Sequence, residues 1–309
     1  MIRRLSVYIF FTLTFLSVGS YCHSQYYFYN DKYYDNNIVL EAGISAGIIN
    51  SLTDLGGRKG IGKDFIKDLN WKVTKPSFGI YVTATYKDAV GLRLEGTFGK
   101  IESYDSILKK TYPDLSQRYG RNLSFRSKIT DLQLSFEIHP LFFKLYNEGE
   151  VPYWSPYLIA GIGYFSFNPQ ANLDGNWYDL HPLHLEGQGF AEYPDRKPYK
   201  LNQLNVPLGI GIKYEAAPLL NLRLEIVHRI LFTDYLDDVS KTYINPSLFS
   251  SYLQPAYASL AQQLHSRMQE LQPGYKVYSG MQRGNPGDND AFFTIQFKIG
   301  FVLRNTRNK

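Results

Sequence analysis

The chain is short of the features that most function classes need. One of its 309 residues is cysteine (Cys22), three are Met and three are Trp, and charged residues make up only 20%. After residue 18 no apolar run approaches the roughly 18–20 residues a spanning helix requires, which excludes a helical membrane protein. The formal charge is +5 with no dense Lys/Arg cluster, so nothing marks a nucleic-acid binder. No G-x-S-x-G nucleophile motif is present. What is abundant is aromatic: 26 Tyr and 20 Phe help bring aromatics to 16%. Such a composition is too apolar for disorder. Mean hydropathy is nevertheless −0.28, so polar residues are spread among the apolar ones rather than set apart from them.

The N-terminus reads as a secretory signal peptide over residues 1–24. Arg3 and Arg4 lead into the apolar run Leu5 to Val18, and Gly19 to Ser24 supplies the small, polar exit. Cleavage is expected after Ser24. The rival reading makes Cys22 a lipidated residue, but Tyr21 before it is too large for that. The mature chain then holds no cysteine, and loss of two leader arginines takes the formal +5 to +3. An exported chain without cysteine has no disulfide framework.

From about residue 38 the pattern is strict alternation, the signature of strands. In the clearest run, Leu204, Val206, Leu208, Ile210, Ile212 and Tyr214 fall on one face, with Asn205, Gly209, Gly211, Lys213 and Glu215 on the other. Comparable runs begin near Leu40, Phe78, Val90, Leu132, Leu158, Leu222 and Phe293, giving eight in all. The phase slips near Ile129, where a β-bulge is expected. Eight strands of roughly ten residues suffice to cross a bilayer when tilted. Tyr86, Phe98, Tyr164, Tyr214, Phe232 and Phe301 are placed for the aromatic girdles of an outer-membrane barrel.

Connection lengths point the same way. Lys87-Asp88, Ala216 to Pro218 and the moderate segment 139–153 join alternate strand pairs, and four long loops of about 50–76, 100–123, 167–202 and 234–290 join the rest. An even-stranded meander puts the two sets at opposite ends, the short turns being periplasmic. The expectation is an all-β, eight-stranded antiparallel up-and-down transmembrane barrel over 38–304. A Tyr-rich periplasmic leader at 25–37 precedes it and a tail at 305–309 follows it. The chain would sit in the outer membrane with both mature termini periplasmic. A soluble sandwich or lipocalin-like barrel shares the period of two. Glycines crowding the polar face favour the narrow lumen of a membrane barrel over a solvated surface.

If the polar face is the lumen, its charges are Glu41, Glu95, Asp131, Glu137, Glu215 and Glu225 against Arg93, Lys213, Arg223, Arg229 and Lys298. Eight strands leave room for side chains alone. The near balance predicts a salt-bridged plug, where a pore would show one dominant sign.

Other candidates are local. His181 and His184, near Asp179 and Glu186, are potential metal ligands, but Pro182 separates them and no helix holds them, so two loop histidines are the simpler reading. Asp234, Asp237 and Asp238, or Asp288 and Asp290, lack the spacing of a twelve-residue calcium loop. His228 has lipid-facing parity, a poor place for a general base. No cofactor and no enzymatic activity are expected. Pro255 to Gln272 reads as one amphipathic helix, packing on its own loop or docking a partner.

Five segments carry a resemblance: SFRSKITDLQLSFE from Ser124, SPYLIAGIGYFSFNPQA from Ser155, NWYDLHPLHLEGQG from Asn176, KPYKLNQLNVPLGIGIKY from Lys197 and FTDYLDDVSKTY from Phe232. Together they resemble the small outer-membrane barrel proteins of Bacteroidetes that include the PorG-like component of the type IX secretion system. The most specific stretches hold Asn176, Trp177, Tyr178 and Asp179, and Tyr235, Asp237 and Asp238. The resemblance implies an eight-stranded outer-membrane barrel in contact with lipid. It also implies a role as anchor for a periplasmic lipoprotein and protein ring of the secretion and gliding machinery. It brings no catalytic residues. The helical stretch after Tyr243 departs from the family pattern. The competing expectation is a surface-exposed ligand-binding or adhesion barrel acting through its long loops, with a small channel or an outer-membrane enzyme behind it.

Overall fold

Apolar and β-branched residues at every second position suit a pleated surface with one apolar face, and a shift of one residue would reverse every side chain. The computed structural model describes residues 38–56, 70–108, 116–144, 152–217 and 219–303, all within one unit. The strands are β1 (Ile38–Leu52), β2 (Lys75–Tyr86), β3 (Val90–Tyr104), β4 (Ser124–Ile138), β5 (Trp154–Ser166), β6 (Gln170–Leu173), β7 (Asn176–Asp179), β8 (Asn202–Ala217), β9 (Leu220–Leu231) and β10 (Ala291–Leu303). The signal peptide, the Tyr-rich leader, the tail and the middle of the 139–153 connection lie outside the described residues.

Eight strands close a ring. β1 pairs with β2 on one side and β10 on the other, and β2–β3, β3–β4, β4–β5, β5–β8, β8–β9 and β9–β10 complete it, all antiparallel. Closure removes the edge strands that open sheets must protect. The short hairpin β6–β7 stands outside the ring and touches β4 through Arg126 and Gln170. Barrel strands of 12 to 16 residues exceed the expected ten.

The apolar face points outward. Ile44, Phe78, Ile80, Phe136, Ile162 and Leu204 are each more than half exposed. A continuous belt of this kind in water would be an aggregation surface; around a closed barrel it is the lipid-facing band. The chain is therefore a transmembrane β-barrel, and the soluble alternatives are excluded. Aromatics mark both ends of the band: Trp154 packs on Tyr214 at 4.5 Å near the short turns, and Trp71 meets Phe293 edge-on at 6.2 Å near the long loops.

Two expectations need correction. β3 and β4 pair without interruption from Val90–Ile138 to Tyr104–Ser124, so no bulge exists at Ile129; the irregularity lies between Glu215 and Ala217. The apparent slip has another cause. Ile129 points inward like Asp131, because towards the long loops the inner face turns from polar to apolar. There Ile49, Ile101, Phe125, Ile129, Phe165 and Phe292 form a core shared with Leu55, Leu123, Leu236 and Val239 of the loops. The helix expected over 255–272 is two, Pro255–His265 and Met268–Leu271. The chain leaves the helical path at Ser266, and Arg267 then bonds the Asn172 carbonyl at 2.8 Å and Glu270 at 2.6 Å. Ala258, Ala261 and Leu264 pack on Leu180, Leu183 and Phe190, which joins the fourth long loop to the third.

Candidate functional site

The lumen is the first candidate. Strand parity turns one residue in two inward, and in the half nearer the short turns the largest of those residues include a dense set of ionisable side chains. Arg93 meets Glu95 at 3.1 Å and Glu225 at 2.7 Å, and it also pairs with Glu137. Arg223 bridges Glu41 at 2.8 Å and Glu137 at 2.9 Å. Lys298 reaches Glu95 at 2.5 Å and Glu225 at 2.9 Å. Nearer the long loops, Arg229 pairs with Asp131 at 3.1 Å, and Asn205 donates to the same carboxylate at 2.8 Å. Lys213 stands at the short-turn mouth, 3.8 Å from Asp88. These are five cations and five carboxylates, all buried. Glu215 was expected among them but is half-buried at the short-turn end, next to the strand irregularity.

Two aromatic residues of the network carried no role in the sequence reading. Tyr81 donates to Glu41 at 2.6 Å and Tyr157 donates to Glu225. Both rings lie beneath the guanidiniums of Arg93 and Arg223 at 5.5–6.0 Å. Each tyrosine faces a glycine across the ladder, Tyr81 opposite Gly43 and Tyr157 opposite Gly211. A Cβ on either glycine would come within 2.6 Å of the ring. That pairing was the available signal: an inward aromatic opposite a bare position.

The second candidate is the cap formed by the long loops. Arg121 bonds Asp105 through two nitrogens at 2.8 and 2.9 Å and the Asp54 carbonyl at 2.9 Å. Arg283 pairs with Glu186 at 3.0 Å and lies 3.7 Å from Asp238. Glu186 also accepts the Ser240 and Lys241 amides. Asp237 accepts the Leu55 and Val239 amides, and Asp290 accepts that of Leu236. Burial pushes Asp234, Asp237 and Asp290 well above the usual carboxylate range, and their mutual repulsion with Asp54 adds to it. Burial likewise raises Asp238 to about 7 against the opposing pull of Arg283. Buried His265 is pushed down to about 3 and accepts the Ile244 amide at 3.2 Å.

The family-like loop residues divide between the two ends of the cap. Asp237 and Asp238 sit in its knot, and Tyr235 stacks on Tyr199 at 5.0 Å. Asn176, Trp177, Tyr178 and Asp179 form β7 of the outlying hairpin. Asp179 accepts from Gln170 at 2.7 Å, while Tyr178 leans on the helical core. His181 meets the Tyr199 carbonyl at 2.8 Å, and its ring centre is 6.2 Å from that of His184. Glu186 faces Arg283, and the described residues hold no group of three or more His, Cys, Asp or Glu placed to share a metal ion. Asp288 is exposed and accepts from Asn285, so the suggested acidic set is divided.

Several solved structures share the barrel. They include the attachment invasion locus protein Ail of Yersinia pestis (10% identity, 85% of this chain and 99% of that one, TM-score 0.35). Neisserial surface protein A matches at 9% identity over 87% and 98%, with a TM-score of 0.36. OprG of Pseudomonas aeruginosa matches at 11% over 86% and 95%, with a TM-score of 0.33. No curated protein sequence matches. The sequence profile of DUF6089, a domain of unknown function, matches residues 32–245, from before β1 to the start of the helical stretch. The chain belongs to the DUF6089 family.

Proposed function

We propose that the protein is a non-enzymatic outer-membrane scaffold. Its sealed barrel anchors a periplasmic assembly of the type IX secretion or gliding kind and holds the long loops outward. The observation that carries this reading is the filled lumen. Ten buried charged side chains, five of each sign, occupy the interior of an eight-stranded ring, and an apolar core closes it towards the long loops. A barrel without a path through it works at its ends. The first strand begins and the last one finishes at the short-turn end, which is the periplasmic side for a chain exported across the inner membrane. The type IX assignment rests on the resemblance of the loop motifs, and the partner is a ring lipoprotein or protein.

A deletion strain tests it. Loss of cargo from the medium, with crosslinks from residues 25–37 to a periplasmic ring component, is the expected result. Normal secretion and gliding with no such crosslink would sink the reading. Planar bilayers are expected to show no conductance steps, and steady steps would contradict the sealed lumen.

The loop cap favours a second reading, a surface platform for a ligand or adhesin, because it has a core of its own where plain connections need none. Removing residues 250–280 separates the two. Surface binding lost while secretion continues supports the platform.

A further inference from the structure

The outward faces of β3 and β4 are apolar through Leu94, Phe98, Leu132 and Phe136. The first charged outward residue beyond that band is a lysine on both strands. Lys100 and Lys128 are direct register partners. Like charges directly opposite on one face destabilise a ladder unless something lies between them. Little does here. Lys128 is exposed and makes no ion pair with a described carboxylate. Lys100 is 4.0 Å from Glu102, which Lys75 already engages. One residue pair further out, Arg126 stands opposite Glu102 in the register but donates to Gln170 at 2.9 Å, so four cations, Lys75, Lys100, Arg126 and Lys128, surround that one described carboxylate. The hairpin β6–β7 leans Trp177 over this sector, its ring 3.8 Å from the Arg126 guanidinium and 5.9 Å from the Lys100 ammonium. An indole with one apolar edge and one wet edge is the side chain of a membrane interface.

We propose that this sector binds the phosphorylated headgroup of an anionic outer-leaflet lipid. The phosphate is seated between Lys100 and Lys128 with Arg126 behind it, and the acyl chains run down over Phe98 and Leu132. The leaflet assignment rests on the proposed outward orientation of the long loops; the phosphate site itself rests on the register pair. Ammonium groups bind phosphate as compact point charges, and a phosphate between the two lysines removes the repulsion that the bare ladder carries.

The test uses the full chain in phosphatidylcholine nanodiscs, with and without bisphosphorylated lipid A, read by thermal unfolding and native mass spectrometry. A ligand that binds the folded state raises the melting temperature. The phosphorylated lipid should stabilise the wild type, and the variant Lys100→Gln/Lys128→Gln should bind it roughly thirtyfold more weakly. In lipid-free detergent that variant should melt close to wild type, since relief of the Lys100–Lys128 repulsion offsets the loss of the exposed Lys100 contacts with Glu102 and Trp177; this keeps a folding defect apart from a binding defect. Lys276→Gln, in the fourth long loop, should bind as wild type does. Equal stabilisation of the double variant overturns the site. Equal stabilisation by dephosphorylated lipid overturns the phosphate, and equal stabilisation by inorganic phosphate alone overturns the lipid. Surface labelling of Lys276 in cells reports the orientation separately, so a failure of the topology is distinguishable from a failure of the site.

Discussion

The two halves of the barrel interior are made of opposite materials. Near the short turns the inward side chains are dominated by ions and by tyrosines bound to them, with Ile159 and Val227 packed against Tyr157 as a small apolar patch. Near the long loops the same inward parity carries Ile49, Ile101, Phe125 and Phe292, and the cap above them is acidic. The lumen has five buried carboxylates to five cations, whereas the cap buries Asp54, Asp105, Glu186, Asp234, Asp237, Asp238 and Asp290 against Arg121, Arg196 and Arg283. In the lumen a charge is held by an opposite charge. In the cap an excess acid is held by backbone amides and by its own proton. The lumen should therefore fail when a partner is removed, and the cap when protons are.

The largest effect is expected in the lumen. Arg223→Met strips Glu41 and Glu137 of their shared guanidinium. A buried charge left without its partner costs about 3–5 kcal/mol. The urea midpoint for barrel unfolding, read by gel mobility, should fall accordingly. The boundary between the halves sharpens the contrast. Arg229 lies 5.4 Å from the Phe292 ring, so replacing Arg229 and Asp131 together by leucines should cost far less than replacing Asp131 alone. Equal costs for pair and single would break the comparison.

A smaller effect is expected where the network presses on the wall. A Cβ at Gly211 would lie 2.5 Å from Tyr157 Cζ and 2.9 Å from Glu225 Cγ. Gly211→Ala should cost roughly 1–3 kcal/mol, as overpacking does. Tyr157→Leu in the same chain should recover part of that, and simple additivity would show that ring and glycine are not coupled.

The sequence carried the fold because one signal, period two, is local and repeats eight times. It carried the lumen charges too, since parity alone assigns a residue to a face once the face is known. It misread Ile129 because an inner wall that changes polarity looks, residue by residue, like a strand that changes phase. Glu215 kept its parity but lay beyond the network, because parity gives the face and not the depth. The cap was illegible for a different reason. Leu55, Asp105, Glu186 and Asp237 come from four loops that closure of the ring brings together, and no spacing in the chain records that. The break at Arg267 is likewise set by a carbonyl 95 residues away, at Asn172.

The pH-dependent effect belongs to the cap and follows from its surplus of acid. Asp238 ionises at about 7 in the folded chain, against 3.8 for an ordinary aspartate, and Asp234, Asp237 and Asp290 are displaced the same way. A raised value means that the folded state binds more protons than the unfolded one. Its stability is therefore complete below the unfolded value and drains away as pH rises through the folded one. His265 works in reverse. Lowered to about 3 from 6.5, it contributes stability above 6.5 that is lost as pH falls. Between roughly pH 4 and 6.5 the two oppose each other; above that the acids act alone, at up to about 1.4 kcal/mol per pH unit for each proton released. Amide protection of Leu55, Leu236 and Val239, corrected for intrinsic exchange, should therefore decline from pH 6.5 to 8, while lumen-strand amides change less. Asp234→Asn should flatten the decline. Protection that holds level or rises across that window would show that opposite charge, and not bound protons, secures the cap as it does the lumen.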